Sequence, residues 1–322
     1  MSWKSRVKAV LMPSEQAAPQ PKAEQVKTSN LASALSIIPG QPYSPPIGPV
    51  TAHLATPIFE SELKALTERE GHQALLEADT WQLPDIPDRE GYYGERHYEY
   101  WLSGLRDYNF LTEAAKRQGI ELNENSAVFD WGCSSGRVLR HFAVRNPKTT
   151  LYGCDVNKNP VEWMHEHLDP RLQVFHNTYL PSQPMPDNHV DLFYAFSVFT
   201  HIDDYEDTYL LEAKRILKPG GVAVFTICSD HTWAMMNNKM VIYNSLIAMK
   251  ELFPEWDIPE CFSRPMPTEK VAFRHQAESN YATNIFHSAS YIKKRWGRYF
   301  EVVEIAHERH GYQDCVVLRK PK

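Results

Sequence analysis

From about Gly94 onward the chain sorts its apolar residues into two rhythms. Trp101, Leu105, Tyr108, Leu111 and Ala115 recur at spacings of three and four, which lays one apolar stripe along a helix. Beyond Gly119 the pattern shortens. Apolar runs at 127–131, 150–154, 172–175, 190–196 and 221–228 predict strands, with helical patterns between them near 136–145, 159–167 and 203–217. Strand and helix in this alternation predict an α/β fold, a largely parallel sheet with helices on both faces. Lys218-Pro219-Gly220-Gly221 reads as the stop that ends a helix before the strand VAVFTI. Residues 229–285 break the rhythm with aromatic residues, methionines and prolines. A helix near 289–296 and strands near 300–306 and 312–318 follow.

The N-terminal part reads differently. Eight of the 23 prolines fall between Pro13 and Pro49, in a stretch rich in Ala, Gln and Ser that can bury little. Residues 1–57 are therefore expected to be a Pro-rich, disordered extension, residues 58–91 a helical segment, and residues 92–322 the main domain with an insert at 229–285. Helical spacing at Leu63, Leu66, Leu75 and Leu76 supports one or two short helices over 59–80, ended by Pro84 and Pro87. The start, Met1 to Met12, intersperses Lys4, Arg6 and Lys8 with Trp3, Val7, Val10 and Leu11, which suits a frayed terminus or a short amphipathic helix.

Composition narrows the function. The net charge is −6, which argues against a general nucleic-acid binder. No run of 18 apolar residues exists, so no membrane insertion is expected. The five cysteines are scattered and form no CxxC pair, which predicts buried small hydrophobes in a reducing cytosol, without a zinc knot or disulfide framework.

The strongest chemical signal is Val128-Phe129-Asp130-Trp131-Gly132-Cys133-Ser134-Ser135-Gly136-Arg137, an apolar strand running into a turn of small residues and then a helix. Gly132 lets the chain turn and lets a ligand approach the backbone. Gly136 permits close packing at the helix start, whose unpaired N–H groups suit a carboxylate or phosphate. The next strand ends in Asp155, 23 residues on from Gly132, close to the offset at which an acid takes a ribose diol. A diol occurs in NAD and in S-adenosylmethionine alike. The pyrophosphate of NAD asks for G-x-G-x-x-G, whereas the turn here is Asp-x-Gly-x-x-x-Gly, and Asp130 would repel a pyrophosphate but suit an ammonium. The amino-acid end of S-adenosylmethionine fits better.

This stretch resembles motif I of class I S-adenosylmethionine-dependent methyltransferases. SVFTH at 197–201, followed by a helix and LKPGG, is similar to bacterial small-molecule members. So are FHSASYIKKRWGRYFEVVEI and GYQDCVVLRK near the C-terminus. The likeness spans roughly 92–228 and 283–319. It implies a Rossmann-like seven-stranded sheet, its last strand antiparallel, and S-adenosyl-L-methionine as cofactor. It further implies that Asp130, Gly132, Cys133, Ser134 and Gly136 hold the methionine end and that Asp155 holds the ribose. Val156, Asn177 and Thr178 would surround the adenine, and Phe196 and Ser197 would close the site. Ser134 departs from the family, where Gly is common. His176 belongs to the same adenine-side group.

Methyl transfer needs an aligned acceptor and, for a hydroxyl, removal of a proton. His201, after the fourth strand, is the leading candidate base, though the same turn can use a histidine for capping or packing. His287 and His310 are weaker candidates. Tyr92 and Tyr93 are placed to cover the cofactor. Asp203 and Asp204 suit a helix N-terminus better than a metal, and no metal is expected. Trp233, Met235, Met236, Met240, Tyr243, Phe253, Trp256 and Phe262 either line an acceptor pocket under the insert or form the insert's own core. Lys270, Arg274, Lys293, Lys294 and Arg295 either face an acidic acceptor or are solvated. The expected activity is cytoplasmic transfer of a methyl group to O or N of a small molecule, a sugar or natural product among the options. The alternatives are a non-catalytic binder of this fold and an NAD-dependent oxidoreductase or epimerase. The latter would need a Tyr-x-x-x-Lys pair that the sequence does not show.

Overall fold

The computed structural model describes residue 75 and residues 78–274 and 283–322. The Pro-rich extension, the Met1–Met12 segment and nearly all of the helices expected over 59–80 lie outside the described residues. Within the described part of the expected helical segment, residues 79–91 form turns and one 3-10 turn, Pro87–Arg89. Pro84 and Pro87 deny the chain a continuous helix there.

Helix α1 (His97–Arg117) carries the predicted apolar stripe. Trp101, Leu102, Leu105 and Leu111 are almost fully buried, and the helix stops before Gly119, which takes a left-handed φ of 80°. Then come β1 (Ala127–Trp131), α2 (Leu139–Arg145), β2 (Thr150–Asp155), α3 (Lys158–His167), β3 (Gln173–His176), β4 (Val190–Ala195), α4 (Glu206–Ile216) and β5 (Leu217–Ser229). Strands β3-β2-β1-β4-β5 lie side by side and parallel, the crossover order the alternation predicts. Helix α7 (Ala289–Arg295) leads to β8 (Glu301–His310) and β9 (Gln313–Arg319). β9 pairs antiparallel with β5 over Val222–Ile227 and carries β8 on its outer edge.

Two expectations need correction. The Lys218-Pro219-Gly220-Gly221 run does not separate α4 from the strand; it lies inside β5, whose Leu217 already pairs with Val190 across a register shift. Among the described residues the sheet has nine strands, not seven, because the insert region contributes two. After α5 (Asp230–Met235) and α6 (Val241–Lys250) it forms β6 (Lys270–Arg274), which pairs antiparallel with β7 (Thr283–His287). β7 then adds to the last two residues of β5, Cys228 and Ser229.

Strands β1, β4, β5 and β9 are buried on both faces, so their alternate side chains feed two cores. Val128, Leu192, Val222 and Val317 meet α1, α2 and α3 on one side. Phe129, Trp131, Phe193 and Phe225 meet α4 and α7 on the other. A third cluster, with Trp233, Met240, Leu246, Phe262, Phe273 and Phe286, belongs to the insert. The insert's large side chains thus form their own core. Burying a side chain of this size is worth ~1.5–3 kcal/mol, which holds the insert together independently of any ligand.

Candidate functional site

The carboxyl ends of β1, β2, β3 and β4 open onto two adjoining cavities, the edge at which α/β sheets take ligands. The larger has about 970 Å³ of empty space and is lined by Asp130, Gly132 to Ser134, Arg137 and Val138 of the turn, Asp155, Phe196 to Val198, Arg89, Glu90, Tyr92 and Tyr93, Tyr100, His201 and His310. The smaller, about 450 Å³, is lined by Trp131, Val156, Asn177, Tyr179, Ile202 and Tyr209 among others. Gly132, Asp155, Ser197, Val198 and His201 border both.

The turn after β1 is built by the backbone. The N–H groups of Gly132 and Cys133 both donate to the Cys154 carbonyl, at 2.8 and 3.0 Å, which pins the turn to β2. Gly132 has φ 89°, and a Cβ there would come 2.5 Å from Val198 Cγ2, so only glycine fits. Ser134 also takes a left-handed φ, 45°, which explains why a glycine is easier at that position. Its N–H donates to Asp155 Oδ2 at 2.8 Å, and the N–H of Asn157 donates to Oδ1 at 2.8 Å. Each Asp155 oxygen keeps a lone pair, and the carboxylate faces both cavities, as a vicinal diol requires. Burial pushes Asp155 up to about 6 against these two donors. Burial also pushes Asp130 up to about 8. The Cys133 thiol is pushed far up by the same burial and is no nucleophile.

Not every expected residue reaches the cavities. Gly136 lines neither; a Cβ there would sit 2.7 Å from both Leu168 Cδ1 and Met164 Sδ, so it serves the packing of the turn on α3. Thr178 is exposed and its hydroxyl accepts from the Leu180 N–H, while Tyr179 lines the smaller cavity in its place. His176 is also exposed, bonded to the Val156 carbonyl. Asp130, Cys133, Ser134, Val156, Asn177, Phe196 and Ser197 all line one cavity or the other. Asn177 is buried with both amide atoms unpartnered.

Of the three histidines, His287 is fully buried against Glu206 and away from the cleft. His201 borders both cavities, with Nδ1 2.7 Å from the Thr283 carbonyl. His310 lines the larger cavity and bonds Asp107. Tyr92 and Tyr93 line it too, as their position before α1 suggested. Among the described residues, none of the insert's aromatic and methionine side chains lines either cavity, because they pack on one another. Among the basic candidates, Lys270 and Arg274 pair with Asp203, Lys294 with Glu269 and Arg295 with Asp207. α4 begins at Glu206, so Asp203 and Asp204 precede it, and Asp203 is committed to those pairs. No metal-holding group of His, Cys, Asp and Glu occurs among the described residues.

Sequence reasoning missed Arg89, Tyr100, Arg137 and Asp107. Arg89 is 1% exposed, donates to the Gly94 carbonyl, and lies 5.1 Å from the Tyr100 ring centre. Its Nε and Nη1 are buried without partners. Tyr100 in turn meets the Ser135 hydroxyl at 3.1 Å, which sets Arg89 beside the 132–136 turn. Only the tertiary fold brings this segment to the turn, so no local motif announces it.

A buried carboxylate, a glycine turn and a buried guanidinium thus lie together at the carboxyl edge of the sheet. Residues 129–225 match the family described as "Methyltransferase domain". The matched stretch runs from β1 into β5, the parallel part of the α/β Rossmann-like sheet. No curated protein matches the chain. Similar solved structures include an S-adenosylmethionine-dependent methyltransferase from Clostridium acetobutylicum, at 12% identity and TM-score 0.45, covering 68% of this chain and 92% of that one. Geranyl diphosphate C-methyltransferase from Streptomyces coelicolor has 12% identity and TM-score 0.45, covering 83% and 98%. An S-adenosylmethionine-dependent methyltransferase from Mesorhizobium loti has 13% identity and TM-score 0.43, covering 65% and 96%.

Proposed function

We propose that the two cavities hold one S-adenosylmethionine and that the larger one also admits a small-molecule acceptor, methylated on O or N. The ribose diol rests on Asp155. The adenine enters the smaller cavity beside Val156, where the unpartnered Asn177 amide can both donate and accept. The methionine end lies along Gly132–Ser135, its ammonium toward Asp130 and its carboxylate toward Arg89. The fit rests on orphaned polar groups of this chain: a buried guanidinium with two unpartnered N–H-bearing nitrogens and a buried amide with none of its bonds made. Such groups cost ~1–3 kcal/mol each when left unpaired, more when charged, and a ligand that satisfies them recovers it. When bound, the donor supplies an electrophilic methyl group. The chain's own residues bind, orient and exclude water, with Ser197 and Val198 walling the junction of the two cavities.

The observation that carries this reading is Asp155, whose two backbone bonds leave its remaining lone pairs to the space shared by both cavities. Titration calorimetry tests it with S-adenosylhomocysteine, 5′-methylthioadenosine and NAD. S-adenosylhomocysteine binds the wild type, and Asp155→Ala weakens it by ~1–3 kcal/mol through lost charged hydrogen bonds. Arg89→Met weakens S-adenosylhomocysteine but leaves 5′-methylthioadenosine, which has no amino-acid end, unchanged. Binding of NAD with no binding of S-adenosylhomocysteine would remove the reading altogether.

A further inference from the structure

His310, on the wall of the larger cavity, belongs to a histidine–carboxylate pair. His310, at the end of β8, places Nδ1 3.0 Å from Asp107 Oδ2, and Asp107 comes from the middle of α1. Asp107 is 1% exposed. It is also bonded by Arg137 Nη2 at 2.7 Å and by Arg106 Nη2 at 3.2 Å. Burial alone would raise its carboxyl, but His310, Arg137 and Arg106 hold it well below the usual carboxylate range. A carboxylate only accepts, so Nδ1 carries the proton and Nε2 keeps its lone pair. The ring is fixed as well as oriented, stacked on Phe196 with centres 4.7 Å apart and planes at 20°. Phe196 directly follows β4, and both it and His310 line the larger cavity.

We propose that His310, positioned by Asp107, is the general base of this enzyme and that its acceptor is therefore a hydroxyl, which must lose a proton to become nucleophilic. The inference rests on the methyl-donor reading above. As the acceptor oxygen forms its bond to the methyl carbon, its proton passes to Nε2 and the electron pair of the breaking C–S bond stays on sulfur. Asp107 stabilises the imidazolium that forms. Burial lowers the affinity of His310 for a proton, with Arg137 and Arg106 acting in the same direction and Asp107 against, so the ring stays neutral and ready near pH 7.

Two measurements on the full chain test this. In 15N imidazole NMR with S-adenosylhomocysteine bound, His310 should be the Nδ1–H tautomer at pH 7 and should protonate only below the ordinary histidine range. Asp107→Asn should disturb that tautomer. An Nε2–H tautomer, or a doubly protonated ring at pH 7, overturns the proposal. The second measurement follows labelled methyl from S-adenosylmethionine to 4-nitrophenol, 2-phenylethanol and 2-phenylethylamine. Label should reach a hydroxyl probe, and His310→Gln should slow kcat about 10²–10⁴-fold, with the affinity for S-adenosylhomocysteine kept and the acidic limb of the pH profile lost. Label on the amine alone, label on no hydroxyl probe, or full turnover by His310→Gln with an unchanged pH profile overturns it. A wild type that binds no S-adenosylhomocysteine in calorimetry removes the donor reading instead, so the two failures are distinct.

Discussion

At the scale of single residues, the site depends on where burial has been left uncompensated. Asp130, 4% exposed, is pushed up to about 8 chiefly by its loss of water, which favours the protonated carboxyl in the free protein. An ammonium arriving beside it favours the carboxylate, so binding lowers its proton affinity and releases a proton. The sign follows directly: affinity for S-adenosylhomocysteine should rise as pH increases from 7 through about 8, because less of the free protein then needs to lose a proton first. Calorimetry at pH 7 in buffers of different ionisation enthalpy should show net proton release, absent in Asp130→Asn. Proton uptake, or release that survives the substitution, would refute the pairing. Asp130, Gly132 and Asp155 were legible in the sequence because a strand, a turn and a second strand fix their offsets within one short stretch. Asp107 and His310 were not legible as a pair. They lie 203 positions apart, and only the docking of α1 against the end of β8 joins them. Gly136 was legible as a packing residue, yet its place in the motif does not bring it to the cavity wall.

At the scale of elements, the approach of α1 to the β1–α2 turn sets the geometry of the cleft floor. A Cβ on Gly104 would stand 2.1 Å from the Arg137 carbonyl oxygen and 2.9 Å from His141 Nε2. Alanine normally favours a helix over glycine by ~1 kcal/mol, but here the intrusion meets backbone that cannot move aside. Gly104→Ala should therefore destabilise the protein by ~1–3 kcal/mol, as overpacking does, and should weaken S-adenosylhomocysteine binding by displacing Arg137. Gly297→Ala is the matched control, since nothing lies within 4 Å of its added methyl. Urea denaturation midpoints of the two variants decide the matter; equal midpoints would disprove the tight approach. The apolar stripe of α1 was readable from spacing, whereas a glycine inside it carries no periodic signal of what it faces. The insert shows the same limit. Its aromatic residues announced burial but not against what, and short runs such as Lys270–Arg274 carry too little pattern to reveal a hairpin that extends the sheet.

At the scale of the whole molecule, the segment before α1 is locked into the domain. Asp79, 2% exposed, accepts from Arg140 Nε at 2.7 Å and Nη2 at 2.9 Å, and from Trp101 Nε1 at 2.7 Å. Arg140, fully buried on α2, also donates to the carbonyls of Trp81 and Gln82 at 2.7 and 3.1 Å. The chain running from there carries Arg89, Tyr92 and Tyr93 into the cleft, so this clasp couples the domain's stability to the cofactor site. Burial alone would raise Asp79, but Arg140, His141 and Trp101 together bring it below its ordinary value. A carboxylate lowered on folding stabilises the protein above its unfolded pKa and loses that contribution as pH falls through the folded value. The clasp should therefore be at full strength at neutral pH and weaken only in acid below about 4, the ordinary aspartate range. Asp79→Ala leaves a buried guanidinium uncompensated and should cost ~3–5 kcal/mol. Asp79→Leu with Arg140→Met removes both charges and should recover much of that loss, because the desolvation of the pair disappears with its attraction. Urea unfolding at pH 7 and again at pH 3.5 gives all four values. If Asp79→Ala costs less than ~1 kcal/mol, the range of an exposed pair, the clasp is not buried in solution and the 79–93 segment is not anchored as described. If it costs the full amount and S-adenosylhomocysteine affinity falls with it, the domain that binds the cofactor begins at or before Asp79, ahead of the boundary at residue 92 that the hydrophobic pattern suggested.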